Sequence, residues 1–189
     1  AAGRLPKNLL PLQSGVGSVA NAVINGLVNS DFTDLTVFTE VVQDGMFDLI
    51  DAGKLRIASG TALSPSPDCL KKFYANLEKY KKHLILRPQE IANSPELARR
   101  LGVIAMNTAI EVDIYGNVNS THICGTKLMN GIGGSGDYAR NGYLTVFFTT
   151  SLAKGGAISS VVPFCAHVDH TEHDVDVIVS ELGVADLRG

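Results

Sequence analysis

The sequence predicts an α/β fold, an open mixed sheet with helices on its faces. Three observations predict it. Strand-sized runs rich in β-branched and aromatic residues alternate with segments of helical period through the first half of the chain. Glycine-containing turns punctuate that alternation. In the second half two extended segments, 103–114 and 118–124, flank Tyr115-Gly116-Asn117, the pattern of a tight turn between neighbouring strands.

In chain order, the apolar run 8–13 reads as a strand that ends in Ser14-Gly15-Val16-Gly17-Ser18. Val19, Ala20, Ala22, Val23, Leu27 and Val28 then share one helical face. The run 35–39 is a second strand, followed by a short helix through Met46, Phe47, Leu49 and Ile50 that Gly53 closes. A third strand is expected over 55–58, an exposed amphipathic helix over 67–80 and a fourth strand over 83–86. Ser94 and Pro95 cap and open a helix over 95–101. Beyond the glycine-rich loop 130–137, strands are expected over 144–149, 158–163 and, as the last, 175–179.

Bulk composition bounds the function. The 189 residues, 45% of them hydrophobic, suffice for one sizeable core. Sixteen basic and nineteen acidic residues are scattered to a formal net charge of -3, with no basic stripe to neutralise a phosphate backbone, so no nucleic-acid partner is expected. The apolar runs are shorter than a membrane span and the start lacks a signal-peptide layout. The expectation is a cytoplasmic protein, or a mitochondrial one in a eukaryote, with no membrane partner. Three widely spaced cysteines, Cys69, Cys124 and Cys165, suit reduced thiols. Both ends read as cuts within a larger protein, because the chain begins almost inside a strand and stops without a terminal helix.

Three features could carry chemistry. Glu40 stands at the carboxyl end of the strand 35–39, where ligand crevices of open α/β sheets lie. A carboxylate held there and partly desolvated by Phe38 and Val41 is a better nucleophile than one in bulk water, although a solvated acid after a strand fits the same pattern. The glycine loops 14–17 and 131–136 suit backbone N–H donation to a phosphate or an oxyanion, or are simply tight turns. Neither has the spacing of a dinucleotide fingerprint or a P-loop. Finally, His167, His170 and His173 recur at three-residue spacing among acids, a zinc pattern if helical and a polar loop otherwise. Val175 onward is strand-like and no His-Glu-x-x-His is present, so no metal is expected.

The stretches 13–22 (Gln-Ser-Gly-Val-Gly-Ser-Val-Ala-Asn-Ala), 39–45 (Thr-Glu-Val-Val-Gln-Asp-Gly), 87–93, 131–137, 167–170 and 180–183 stand in an order that resembles the acetyl-CoA hydrolase/transferase family, class I CoA-transferases of the succinyl-CoA:acetate type. That resemblance spans almost the whole chain and implies a fold like that of NagB, RpiA and the CoA-transferases. It makes residues 1–189 a C-terminal catalytic domain whose N-terminal partner domain lies outside this chain. It implies transfer of CoA between an acyl-CoA and a short carboxylate such as acetate or succinate, through a glutamyl-CoA thioester on Glu40, or hydrolysis of acetyl-CoA. A CoA-binding fragment without turnover is the reading from another class. By the same resemblance, Gly134 and the loop around Val16 supply oxyanion donors, Asn93 orients Glu40, and Glu181 is a second, positioning acid. CoA, a substrate rather than a permanently bound cofactor, would lie along Gly15, Val16, Gly17, Ser18 and Val19 with contacts at Ile110, Asn130, Gly134 and Lys154. A homodimer is implied.

Overall fold

The structure, a computed structural model, describes residues 5–189. Its main sheet has eight strands: β1 Leu12–Ser14, β2 Leu35–Phe38, β3 Leu55–Gly60, β4 Leu84–Leu86, β5 Ile104–Thr108, β6 Leu144–Phe148, β7 Val177–Ser180 and β8 Gly183–Asp186. In space they run β8-β7-β6-β5-β1-β2-β3-β4. Every neighbouring pair is parallel except β7 and β8. The chain therefore winds outward from β1 in one direction, returns to β5 beside β1, and winds outward in the other. That reversal between β1 and β5 leaves a crevice at the carboxyl ends of the central strands.

Helices α1 Ser18–Val28, α2 Asp44–Asp51, α3 Pro67–Ala75, α4 Leu77–Tyr80, α5 Gln89–Ala92, α6 Pro95–Leu101 and α7 Ser135–Ala139 cover the sheet. Alternation along the strands assigns the two faces. Leu35 and Val37 of β2 and Ile104 and Met106 of β5 pack with Ile24, Met46, Phe47, Leu49, Phe73 and Tyr80. Phe38 and Ala105, pointing the other way, pack with Ala98 and Tyr138. Edge-on aromatic pairs lock the first layer, with ring centroids of Phe47 at 5.7 Å from Phe73 and 5.3 Å from Tyr80. The helix 95–101 forms as predicted: the Ser94 hydroxyl accepts the Leu97 N–H, Pro95 opens the first turn, and Gly102 ends it at φ 69°.

Several expectations need correction. The strand predicted from residue 8 begins only at Leu12, because Leu9 closes a turn onto the Pro6 carbonyl at 2.9 Å and Pro11 has no N–H to pair. The helix expected over 67–80 breaks at Asn76, whose side-chain amide donates to the Lys72 carbonyl at 3.0 Å and competes with the helical ladder. That helix is also less exposed than its pattern suggested, since Phe73 and Tyr80 are buried. The segment 103–114 is not one strand, because only Ile104–Thr108 joins the main sheet. Glu111–Asp113 belongs to a separate three-stranded sheet with Val118–Asn119 and Val161–Val162. The segment 158–163 likewise divides between two small sheets. The main sheet is mixed because of β8, an entirely exposed edge strand with no buried pattern to announce it.

The turn at Tyr115-Gly116-Asn117 does form, and a buried carboxylate organises it. Asp113 Oδ1 accepts the N–H groups of Tyr115, Gly116 and Asn117 at 3.0–3.1 Å, while Oδ2 accepts from the Asn117 side chain and the Cys165 N–H. Burial alone would raise the Asp113 pKa, but these bonds, led by Asn117, outweigh it and hold the carboxyl below its ordinary value. Its stabilisation is therefore present above the unfolded pKa of about 3.9 and disappears as pH falls through the lower folded value. Asp113→Ala, which strands several donors, should lower stability at pH 7 by about 3 kcal/mol in urea melts, and the difference should shrink in acid.

Candidate active site

Everything expected at the site depends on where β2 ends. Glu40 follows β2 after one residue, Thr39, and its backbone carbonyl accepts the N–H groups of Thr61 at 2.8 Å and Ala62 at 3.3 Å. The residue is thus fixed from the β3 side, and glycine at position 60 leaves room there, since a Cβ would stand 3.2 Å from the carbonyl oxygens of both Thr39 and Glu40 and would press on them. The half-buried side chain is held by two donors on one oxygen: Asn93 Nδ2 at 2.9 Å and the Gly134 N–H at 3.1 Å, both to Oε2. No donor among the described residues bonds Oε1.

The two donors come from distant parts of the chain that are themselves tied together. Asn93 ends α5 and Gly134 precedes α7; Tyr138 of α7 donates its hydroxyl to the carbonyl of Ala92. Burial first, then the negative charge of Glu40, pushes the Tyr138 pKa up, so this hydroxyl keeps its proton. Gly134 has φ −82°, which any residue adopts, so its glycine identity is not a backbone requirement. A Cβ there would overlap both Asn93 Nδ2 and Glu40 Oε2, closer than nonbonded atoms approach. Glycine is needed because the carboxylate comes so near.

The other glycine loop reaches the site through polar clamps. Gly15 N–H donates to the Met106 carbonyl at 2.8 Å as β1 ends. The buried side chain of Gln43 then spans the loop, donating from Nε2 to the Gly15 carbonyl at 2.7 Å and accepting the Gly17 N–H at 3.1 Å. The loop is thereby fixed to the same segment that carries Glu40. Beneath it, buried Gln13 donates to Asn107 Oδ1 at 3.0 Å and accepts the Met106 N–H at 3.0 Å, stitching β1 to β5 across the reversal point. Sequence reasoning missed Gln13 and Gln43 as structural parts. The signal available was a glutamine within a strand and another three residues after the candidate nucleophile.

A cavity of about 800 Å³ opens over this floor. Among the predicted residues, Gly15, Val16, Gly17, Ser18, Val19, Glu40, Ile110, Asn130, Gly134 and Lys154 all line it. Asn93 holds Glu40 without being part of the lining. Glu181 is not brought in. It sits exposed in the β7–β8 turn, where it accepts the N–H and hydroxyl of Ser151, and those bonds lower its pKa. Its connection to the cavity is indirect, through the segment that continues from Thr149 and Thr150. Cys124 and Lys154 line the wall with left-handed backbone, φ 51° and 47°, a strained conformation for residues with side chains. The three histidines do not converge, and no group of three metal-binding side chains occurs among the described residues. His167 stacks on His122 at 3.9 Å, His170 is fully buried, and His173 is exposed beside Glu172.

Residues 70–189 match the acetyl-CoA hydrolase/transferase C-terminal domain. The chain belongs to that family. It is 65% identical over 187 residues to a succinyl-CoA:acetate CoA-transferase of Clostridium kluyveri, covering 99% of this chain and 35% of the relative. It is 52% identical to an acetyl-CoA hydrolase of Neurospora crassa, covering all of this chain and 37% of that protein. This chain thus spans little more than a third of the curated relatives it matches. A solved 4-hydroxybutyrate CoA-transferase from Porphyromonas gingivalis superposes with a TM-score of 0.74 at 22% identity, covering 98% of this chain and 45% of the other. That likeness shows the fold, which is the CoA-transferase-like arrangement expected from the sequence. No helix among the described residues is long and apolar enough to cross a membrane.

Proposed function

We propose that this chain supplies the catalytic half of an acyl-CoA:carboxylate CoA-transferase in which Glu40 is the nucleophile. The observation that carries the proposal is the asymmetry of its carboxylate: two fixed donors on Oε2, none on Oε1, at the floor of the cavity. Oε1 attacks the thioester carbonyl, the C–S bond breaks, and CoA leaves as a thiolate from an acyl-glutamyl anhydride. The thiolate then attacks Glu40 Cδ, so that Oε2 becomes the oxyanion while the acyl carboxylate departs. Asn93 Nδ2 and the Gly134 N–H are already aimed at the atom on which this charge develops, which is how a preorganised oxyanion hole accelerates acyl transfer. The resulting glutamyl-CoA thioester is opened by an acceptor such as acetate or succinate through the reverse steps. In this proposal the loop 15–19 holds CoA, Lys154 meets one of its anionic groups, and Glu181 positions the wall through Ser151. An N-terminal domain outside this chain closes the cavity and keeps water from the anhydride.

Hydrolysis of acetyl-CoA is a second reading, favoured by the name of the Neurospora crassa relative. Full-length protein given acetyl-CoA with and without succinate separates them. Release of CoA that depends on no acceptor would overturn transfer, whereas succinate-dependent formation of succinyl-CoA supports it.

Occupancy of the cavity has its own test. Cys124 is exposed and lines the cavity, whereas burial, reinforced by Asp44, pushes Cys69 up to about 11 and burial, reinforced by Asp113, pushes Cys165 up to about 12. Alkylation at pH 8 should therefore modify Cys124 first, and CoA should protect it, as read by peptide mass spectrometry. Labelling at an equal rate with saturating CoA would contradict CoA in this cavity.

A further inference from the structure

We propose that His170 is a positioning residue that fixes the turn presenting the Gly134 N–H to Glu40. The inference rests on the oxyanion role assigned to Gly134 above. The turn has little rigidity of its own: Gly131, Ile132 and Gly133 are exposed, Gly133 is left-handed at φ 57°, and glycines fill four of the positions 131–136. One internal bond closes it, from the Ser135 hydroxyl to the Ile132 carbonyl at 2.8 Å, with Gly133 and Gly134 between. His170 Nε2 lies 3.1 Å from the same hydroxyl oxygen.

The proton count gives this contact its direction. A serine hydroxyl has one proton, and here it goes to the Ile132 carbonyl, so Ser135 Oγ can only accept from the ring. Ser120 Oγ also lies 3.4 Å from Nε2, the longer of the two contacts. The Nε2–H tautomer is the one that donates to Ser135 while leaving Nδ1, which bonds no partner among the described residues, as a buried acceptor rather than a buried N–H. A charged ring would bury an N–H at that atom. Burial accordingly holds the His170 pKa below its ordinary value, against the opposing pull of Asp169.

The imidazole is a rigid post. Its backbone pairs with Val118 in both directions, at 2.8 and 3.1 Å, and its ring lies on Phe147 of β6 with centroids 4.8 Å apart. The neighbouring Asp169 holds the adjacent strand by accepting the Ser120 N–H at 2.8 Å and the Thr121 hydroxyl at 2.8 Å. Rigidity thus passes from the sheet, through one N–H, to the turn that aims Gly134. The histidine segment thus has a part at the site through its buried member, which contacts the glycine turn.

The test uses full-length protein, with kcat and KM for acetyl-CoA and hydrogen exchange of the 131–135 backbone as readouts. His170→Phe keeps the ring and its contact with Phe147 but has no donor. It should lower kcat about 10- to 100-fold, leave KM nearly unchanged, and speed exchange in that turn. His170→Gln, whose amide can supply the missing N–H, should restore most of both. Ser135→Ala, which removes this bond and the one to Ile132, should lose at least as much, and the double variant should be no worse than Ser135→Ala, because the His170 bond is already absent there. Should His170→Phe fail to fold, Ser135→Ala and His170→Gln decide the matter. Wild-type kcat and exchange in folded His170→Phe or Ser135→Ala, or His170→Gln as impaired as His170→Phe, would overturn the proposal. Wild-type protein without turnover would instead remove the transferase reading, while the exchange measurement would still test the link between His170 and the turn.

Discussion

Glu40→Ala should abolish CoA transfer, lowering kcat by on the order of 10⁵-fold or more while the protein stays folded. The loss is large because no other carboxylate stands at this point: Glu181 bonds Ser151 outside the cavity lining, Glu111 on the cavity wall is held by Asn119, and Asn93 and Gly134 offer Glu40 hydrogen-bond donors rather than a nucleophile. The fold should survive because the Glu40 side chain is half-buried and accepts two bonds whose donors water in the cavity can satisfy. Glu40→Gln makes the sharper control. Its amide oxygen can keep both donors engaged, so the site geometry persists without a nucleophile, and its melting temperature should match wild type. A Glu40→Gln protein with more than about a hundredth of wild-type activity would remove this residue from the nucleophile role.

The second large effect is expected at Gly134. Gly134→Ala adds a single methyl group, yet that carbon would overlap the Asn93 amide and the Glu40 carboxylate together. Either the carboxylate moves or the turn does. In both cases the N–H···Oε2 alignment is lost, and a loss of about 10²-fold or more in kcat is expected. Because φ at Gly134 suits an ordinary residue, the cost should appear in turnover far more than in thermal stability. Steady-state kinetics together with a thermal melt of the same preparation distinguishes the two. A variant that keeps wild-type turnover would mean that the close approach of Gly134 to Glu40 has no part in the reaction.

The parts of this site that were legible in the sequence are those with a local cause. The run 35–39 announces a strand by β-branched and aromatic content, so Glu40, the residue after it, stands at a strand end. Ser94 and Pro95 announce a helix start, and the glycine loops were recognisable as loops. The separate roles of Asn93 and Gly134 came from family resemblance, and their meeting on one oxygen was not legible, since two donors 41 positions apart leave no periodicity for a reader of sequence to detect. Gln43, reaching back across 28 positions to Gly15, was invisible for the same reason. A side chain bonded to a distant backbone group looks like any other glutamine. The last strand was missed because an edge exposed on all four residues has no buried face to impose alternation. His167, His170 and His173 show that regular spacing by itself assigns no common chemistry. The structure gives them three different environments, because the segment is irregular apart from a single 3₁₀ turn over Glu172–Asp174 and does not stack them.

The central claim is that the Glu40 carboxylate becomes covalently bonded to CoA during turnover. Full-length protein incubated with acetyl-CoA in the absence of acceptor, then treated with borohydride, should be inactivated. Its Glu40 peptide should carry a primary alcohol in place of the carboxyl group, and added succinate should prevent this. Full retention of activity, or an alcohol found on another residue with Glu40 intact, would contradict the account.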